Sequence, residues 1–138
     1  MFLLDTNVLS ELMKPSPDAA VISWLDQHPA SALFISAVTR AEIELGIALL
    51  PDGQRKRRIA DAADRMFSHF SGRCLAFGEM AAVDYGRLVA ERLQHGRPIT
   101  TEDAQIAAIA LVYGLRLVTR NVKDFENIAA LTTVNPWQ

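Results

Sequence analysis

Four acidic residues stand where a predicted strand gives way to a predicted helix or turn. Asp5 follows the apolar run "FLL", and Glu42 lies in the first turns of the helix predicted after "LFIS". Asp103 begins the helix in "TTEDAQIAAIA", and Asp124 comes just beyond the apolar segment "LRLVT". Carboxylate oxygens are hard ligands of the kind that Mg²⁺ and Mn²⁺ prefer. The four acids are therefore candidate ligands of a divalent cation.

Each acid also has a purely structural interpretation. Asp5 and Asp124 are suited to capping short helices, "TTED" fits a weak capping box, and "TRAE" fits one in which Glu42 reaches back to the amide of Thr39. Capping, however, does not require that acids from distant parts of the chain meet. Two carboxylates about 4 Å apart repel by about 4 kcal/mol at an effective dielectric near 20, and a bound cation removes that cost. Taken singly, each acid leaves both interpretations open.

Short apolar segments alternate along the chain with longer helical patterns. Strands are predicted at Phe2–Leu4, Leu33–Ser36, Cys74–Phe77, Arg116–Thr119 and Thr132–Val134. Helices are predicted at Val8–Met13, Asp18–Asp26, Val38–Leu50, Gln54–Phe70, Met80–Leu93 and Asp103–Tyr113. This alternation predicts an α/β fold, a three-layer α/β/α sandwich around a mostly parallel sheet of four or five strands. The carboxyl ends of parallel strands share one edge of the sheet, where ligands bind, so the acids are expected to converge there.

The composition is that of an ordinary globular protein. The 138 residues are expected to form a single domain, 1–138, with a net charge of −2. No apolar run approaches the roughly 20 residues that span a bilayer, and the start lacks the features of a signal peptide, so we expect a cytoplasmic protein without membrane association. The single cysteine, Cys74, is expected to be a small core residue. The three histidines have no metal-ligand spacing, which argues against zinc.

Basic residues are concentrated rather than abundant. Arg accounts for 11 of the 14 basic residues, and four basic residues form the run "RKRR" at positions 55–58. The run is either a solvated helix face or a phosphate-contacting patch in which Arg57 and Arg58 are the candidates. Arg120, beside the late strand, is either a phosphate ligand or an ordinary exposed arginine.

Several blocks of the sequence carry a resemblance to a known family. "FLLDTNVLSEL", "ISAVTRAEIELGIALL", "TTEDAQIAAIAL" and "GLRLVTRNVKDFENI" resemble, in matching order, the signature blocks of the PIN domain, in particular the VapC-type toxin ribonucleases. The closing "NPW" is similar to that group too. The resemblance implies a Mg²⁺-dependent endoribonuclease, with Mn²⁺ as an alternative, that hydrolyses RNA phosphodiester bonds. It also implies a VapB-type antitoxin partner and a homodimer or larger hetero-oligomer.

The resemblance assigns roles to individual residues. The first acid of the family matches Asp5, beside Thr6, and the next two match Glu42 and Asp103. These three acids are the expected metal ligands, and Glu42 is expected either to ligate the metal or to position the water.

The fourth acidic position differs from the family pattern. Many relatives have Asp where this chain has Asn121, and Asp124 follows three residues later. Either Asn121 ligates through its carbonyl oxygen, or Asp124 replaces it as a ligand, or the position is not essential. Thr119 is expected at the rim, where it orients the cluster or the scissile phosphate.

Other function classes fit less well. A haloacid-dehalogenase-type phosphatase needs a second Asp two residues after Asp5, where this chain has Asn7, and a receiver domain needs an Asp after the third strand, where "GEM" stands. The remaining alternative is a non-catalytic PIN-like subunit that binds a partner within a DNA-binding complex. The sequence contains no base-reading motif that would identify the RNA.

Overall fold

The computed structural model describes all residues, 1–138, and its centre is a five-stranded parallel sheet in the order β3-β2-β1-β4-β5. The strands are β1 (Phe2–Leu4), β2 (Leu33–Ser36), β3 (Cys74–Leu75), β4 (Arg116–Val118) and β5 (Thr133–Val134). The helices are α1 (Thr6–Leu12), α2 (Ala19–Asp26), α3 (Ala37–Ala48), α4 (Gln54–Ser68), α5 (Glu79–Gln94) and α6 (Thr101–Tyr113). Two short 3₁₀ turns occupy Ala30–Ala32 and Val122–Phe125.

Helices cover both faces of the sheet. Successive residues of a strand point to opposite faces. Leu3 and Leu117 therefore pack into the core beneath α5 and α6, whereas Leu4 and Val118 pack into a second core beneath α1, α2, α3 and α4. The central strands β1 and β2 are largely buried on both faces, which is why they are apolar without alternation. The predicted three-layer α/β/α sandwich with a parallel sheet is confirmed.

Helix α6 is the most deeply buried helix. Ala104 and the run Ile106–Ala110 are at most 1% exposed. The alanines in this run let the helix approach closely, because they add little volume between the helix and its neighbours. The helix ends at Gly114, whose φ of 64° is the left-handed conformation that glycine adopts without steric cost. The chain then enters β4 at the amino edge of the sheet, so α6 itself begins at the carboxyl edge.

The third strand is shorter than predicted. The two residues of β3 pair with Ile35 and Ser36 of β2, and no pairing follows because Ser36 is also the N-cap of α3. The prediction that Cys74 is a core residue is wrong. Cys74 is exposed, because β3 is the edge strand and is paired on one side only.

No helix has the length and apolarity to cross a bilayer.

Candidate active site

The acidic residue that follows the first strand is buried and serves two purposes. Asp5 is 4% exposed and is the N-cap of α1, with Oδ1 accepting the Thr6 amide N–H at 2.8 Å. Its other oxygen, Oδ2, accepts the Thr119 hydroxyl at 2.8 Å and the Asn7 side-chain amide at 3.3 Å. Helix α1 begins two residues earlier than predicted because Asp5 caps it. The capping interpretation of Asp5 is therefore confirmed, but the cap uses only one of its two oxygens.

The Thr119 hydroxyl joins the ends of β1 and β4. Its oxygen is fully buried, donates to Asp5, and accepts the Asn7 side-chain amide at 3.2 Å and the Asn121 N–H at 3.1 Å. Asn7 Oδ1 in turn accepts the Arg120 N–H at 3.2 Å. Sequence reasoning missed Asn7 as a site residue, although its place in "DTN" was visible. These hydrogen bonds fix the Asp5 carboxylate relative to both strands.

Glu42 is held by a threonine from a different helix. The Thr6 hydroxyl donates to Glu42 Oε1 at 2.7 Å and lies 3.0 Å from the hydroxyl oxygen of Thr39. The capping-box interpretation of Glu42 does not hold, because Ser36 caps α3 and its Oγ accepts the Thr39 N–H at 3.0 Å. Glu42 is therefore free to face α1.

Asp103 lies in the first turn of α6. Its backbone N–H donates to the Thr100 hydroxyl at 3.2 Å, which confirms Thr100 as the N-cap of α6. The pKa of Asp103 is raised to about 6, mainly by burial and also by the charges of Asp5, Asp124 and Glu102, while a side-chain hydrogen bond with Thr100 opposes the shift. The pKa of Asp103 thus responds to two acids from distant parts of the chain, Asp5 and Asp124, and to its neighbour Glu102.

The other two carboxylates respond in the same direction. Burial is the main cause that raises the pKa of Asp5, and the charge of Glu42 adds to it despite the hydrogen bonds that Asp5 accepts. Burial also raises the pKa of Glu42, with a contribution from the charge of Asp103. The three acids interact through space, which capping alone does not require.

These three carboxylates line one polar cavity of about 400 Å³, here called the acid pocket. Only one of its 11 lining residues is hydrophobic; they are Asp5, Thr6, Asn7, Ser10, Glu11, Lys14, Glu42, Asp103, Arg120, Asn121 and Trp137. Glu11 is buried and tied to the Lys14 ammonium at 2.9 Å and to the Asp18 N–H at 2.9 Å. Sequence reasoning missed Ser10, Glu11, Lys14 and Trp137 at this site.

The two candidates for the fourth acidic position, Asn121 and Asp124, lie in different places. Asn121 lines the acid pocket, whereas Asp124 does not line it and lies exposed in the 3₁₀ turn Val122–Phe125. Asp124 reaches the site only through its charge, which helps to raise the pKa of Asp103.

The donor set suits a hydrated divalent cation. No three Asp, Glu, His or Cys side chains lie close enough together to enclose an ion by themselves. Mg²⁺ retains several of its waters and is commonly held by only one or two carboxylates. A roomy cavity lined by carboxylate, hydroxyl and amide oxygens therefore suits a Mg²⁺ or Mn²⁺ ion that keeps part of its water shell. It does not suit an ion whose ligands all come from the protein.

The basic run lies on a different surface. Arg55 and Arg58 line a cavity of about 1090 Å³ between α1, α2 and α4, here called the arginine groove, whereas Arg57 is exposed and outside it. Arg65 and Arg73 also line it, and its apolar lining includes Leu25, Ile59, Met66 and Phe70. The structure thus separates Arg58 from Arg57, which sequence reasoning treated alike.

Known proteins resemble this chain over its whole length. The PIN domain family matches residues 2–131. The VapC ribonuclease Y4jK of Sinorhizobium fredii is 37% identical over 100% of this chain and 99% of its own length. Toxin FitB of Neisseria gonorrhoeae is 37% identical over 99% of both chains. A solved structure of FitAB bound to an IR36 DNA fragment superposes with a TM-score of 0.90 at 36% identity, covering 100% of this chain and 96% of that one. The resemblance is confirmed: the chain belongs to the PIN domain family.

Proposed function

We propose that this chain is a metal-dependent endoribonuclease and the toxin of a VapBC-type toxin–antitoxin pair. The observation that carries the proposal is the acid pocket, in which Asp5, Glu42 and Asp103 come from three distant parts of the chain and raise one another's pKa values. The names of the relatives, a VapC ribonuclease and a toxin, support the same activity. With all three acids present and mutually interacting, nothing favours the non-catalytic alternative.

The same pocket indicates what would hold the metal. One or two of the carboxylates of Asp5, Glu42 and Asp103 would ligate Mg²⁺, with Mn²⁺ as an alternative, the others would act through its bound waters, and Asn121 would add an amide oxygen. When bound, such a cation makes a water more acidic and offsets charge that develops on the phosphate. Hard oxygen donors without any histidine or cysteine are the basis of this proposal.

The chain's own residues prepare the site. Thr119 and Asn7 keep the Asp5 carboxylate in one orientation, and Thr6 holds Glu42 where it can orient an attacking water. Because these positions are fixed by hydrogen bonds before substrate arrives, little reorganisation is needed during the reaction. Asp124 influences the site through its charge on Asp103, and we propose no direct contact for it.

We further propose a VapB-type antitoxin as partner, in a homodimer or larger hetero-oligomer in the cytoplasm. The FitAB structure, which contains DNA, supports assembly with a second protein. The acid pocket also offers a physical reason, because an arginine from a partner can bind two carboxylate oxygens at once and so block it. Co-expression with the neighbouring gene should yield a complex with little ribonuclease activity, and recovery of only free, active protein would count against the partner.

The activity is tested by RNA cleavage with purified protein. We expect cleavage in Mg²⁺ or Mn²⁺ and none in EDTA, with Asp103→Asn protein as the control for contaminating nucleases. Full activity in EDTA would refute the metal mechanism, and equal activity of the variant would assign the cleavage to another enzyme. Sequencing the cleaved ends of cellular RNA after induction would identify the RNA class.

A further inference from the structure

Arg120 is an unpaired cation at an anionic pocket. Arg120 lines the acid pocket together with four acidic residues, Asp5, Glu11, Glu42 and Asp103. None of the five ion pairs in the structure includes Arg120, and its guanidinium donates no hydrogen bond. The charge of Arg120 acts on Glu11, whose pKa is lowered mainly by the hydrogen bond from Lys14 and to a smaller extent by Arg120. A bidentate ion pair with a carboxylate is nevertheless not formed. We attribute its absence to a restraint on the Arg120 side chain.

The segment "NPW" supplies that restraint. The centre of the Arg120 guanidinium lies 5.0 Å from the centroid of the Trp137 ring, within the range of a cation–π contact. The side-chain amide of Asn135 donates to the Arg120 carbonyl at 3.5 Å, and its Oδ1 accepts the Trp137 N–H at 2.9 Å. On the other side, the Arg120 N–H donates to Asn7. The backbone of Arg120 is thus held from both sides, and its side chain rests on an aromatic ring.

The cation–π contact leaves the N–H donors of the guanidinium available. It draws on the charge of the group, and no N–H donor of the Arg120 side chain is used in a hydrogen bond. The geometry of these donors matches two oxygens of a phosphate. Arg120 and Trp137 both line the acid pocket, so the guanidinium remains at the site.

We propose that Trp137 and Asn135 are positioning residues that hold the Arg120 guanidinium apart from the pocket carboxylates, as a receptor for a backbone phosphate of the RNA next to the one that is cleaved. The proposal rests on the proposed ribonuclease function and specifies how that site tolerates its substrate. A strand that places one phosphate among carboxylates must bring neighbouring phosphates near the same rim, where like charges repel them. A free cation held at that rim offsets the repulsion.

The test measures binding of a fluorescein-labelled single-stranded RNA by anisotropy, in Mg²⁺ buffer, at several salt concentrations. All variants carry Asp103→Asn so that the RNA stays intact. Arg120→Gln and Trp137→Ala are expected to weaken binding by roughly tenfold, the scale for losing a charge-assisted hydrogen bond. Loss of one phosphate contact should also reduce the slope of log Kd against log salt by about 0.7. In cleavage assays with Asp103 restored, the same substitutions should raise KM far more than they lower kcat.

Two further variants separate positioning from general damage. Trp137→Phe keeps an aromatic face and should bind nearly as well as the parent. Arg116→Gln removes an exposed arginine at the amino end of β4, the opposite edge of the sheet from Arg120, and should bind like the parent. The double variant Arg120→Gln with Trp137→Ala should be no weaker than either single variant, because both remove the same contact.

The opposite results would overturn the proposal. If Arg120→Gln binds RNA with the same affinity and salt slope as Arg116→Gln, Arg120 is not a phosphate receptor. If Trp137→Phe is as weak as Trp137→Ala, or if the double variant is weaker by the product of both effects, Trp137 does not act through Arg120. If the protein binds RNA through Arg120 but never cleaves it, the proposed ribonuclease function is refuted and the phosphate-binding role of Arg120 stands. If cleavage depends on metal but its KM does not change in Arg120→Gln, the ribonuclease function stands and the proposed role of Arg120 is refuted.

Discussion

The acid pocket and the arginine groove represent opposite ways of displaying charge. In the acid pocket, the carboxylates of Asp5 and Glu42 are fixed by hydroxyl donors, and one of 11 lining residues is hydrophobic. In the arginine groove, nine of 19 lining residues are hydrophobic, and the guanidinium groups of Arg55 and Arg58 make no hydrogen bond or ion pair. The acid pocket holds its charges in place by hydrogen bonds, whereas the arginine groove presents guanidinium groups without hydrogen bonds beside apolar side chains. The first arrangement suits chemistry on a particular group, and the second suits contact with an adaptable surface.

The acid pocket and the arginine groove also differ in how much their charges destabilise the folded protein. Burial and mutual repulsion raise the pKa values of Asp5, Glu42 and Asp103, so their ionised forms destabilise the protein when no cation is bound. Exposed arginines at the groove carry little such cost, because solvent screens them. Substitutions in the pocket should therefore have large effects and substitutions in the groove small ones.

The largest effect is expected from neighbouring acids at the start of α6. Asp103→Asn should reduce RNA cleavage by more than about 100-fold, the scale for losing one preorganised electrostatic group. Glu102→Gln removes a charge one residue away that is exposed and does not line the pocket, and it should change cleavage by less than about threefold. Initial rates at saturating Mg²⁺ measure both. Equal losses in the two variants would show that only the overall charge at this helix start matters.

Thr119 tests whether the pocket depends on its fixed hydrogen bonds. Thr119→Val removes the donor to Asp5 and the acceptor for Asn7 and Asn121, leaving buried polar groups unpaired, so the free energy of unfolding should fall by about 1–3 kcal/mol. Thr119→Ser keeps the hydroxyl and should lose markedly less. Urea unfolding in EDTA measures both variants. If valine and serine are equally stable at this position, the hydrogen bonds contribute nothing and packing alone decides.

The pH dependence of stability tests the repulsion in the metal-free pocket. The pKa of Asp103 is about 6 in the folded protein against an ordinary value of 3.8, so the folded state binds the proton more tightly. Its contribution to stability is present below pH 4 and is lost as the pH rises through 6. At pH 7, Asp103→Asn should therefore be more stable than the parent by on the order of 1 kcal/mol after solvent screening, and the difference should vanish near pH 4.

Thermal or urea unfolding in EDTA across pH 4–7 measures this difference. Added Mg²⁺ should stabilise the parent more than the variant, because a ligand that binds only the folded state shifts the unfolding equilibrium. A variant that is less stable than the parent at pH 7 would contradict the repulsion.

The smallest effects are expected at the groove. Arg58→Gln should change the free energy of unfolding by less than about 0.5 kcal/mol, as is usual for exposed sites. If RNA backbone passes through the groove, the same change should lower the salt slope of RNA binding by about 0.7, whereas Arg57→Gln, outside the groove, should leave it unchanged. Identical salt slopes for both variants would indicate that residues 55–58 are only a solvated helix face and do not contact RNA.

Prediction from the sequence succeeded where the signal is local. Apolar runs such as Phe2–Leu4 and the helical spacing of Ile106 to Leu111 indicated the elements, and the shared edge of a parallel sheet indicated that Asp5, Glu42 and Asp103 would approach one another. The side of the sheet on which ligands bind follows from topology and needs no side-chain detail.

It failed where the partner of a group is distant in sequence. Glu42 bonds to Thr6, 36 residues away, rather than to the helix it belongs to, and Asn7 bonds to Thr119 across 112 residues. Local spacing favours the nearest capping partner, but tertiary packing decides which donor a carboxylate meets. Cys74 shows the same limit, since only the strand order reveals that its strand lies at an edge.

The hydrogen bond between Asp5 and Thr119 joins residues 114 positions apart, and this has a consequence for synthesis. A ribosome makes β1 first, but the strand pairs with β4 only after Arg116–Val118 has been made. Contacts of such high sequence separation form late in folding. A growing chain therefore carries Asp5 and Glu42 without a completed pocket until β4 and Thr119 have been made. We expect the nascent protein to cleave no RNA before Thr119 has left the ribosome, so that synthesis of this one strand sets the earliest moment of activity.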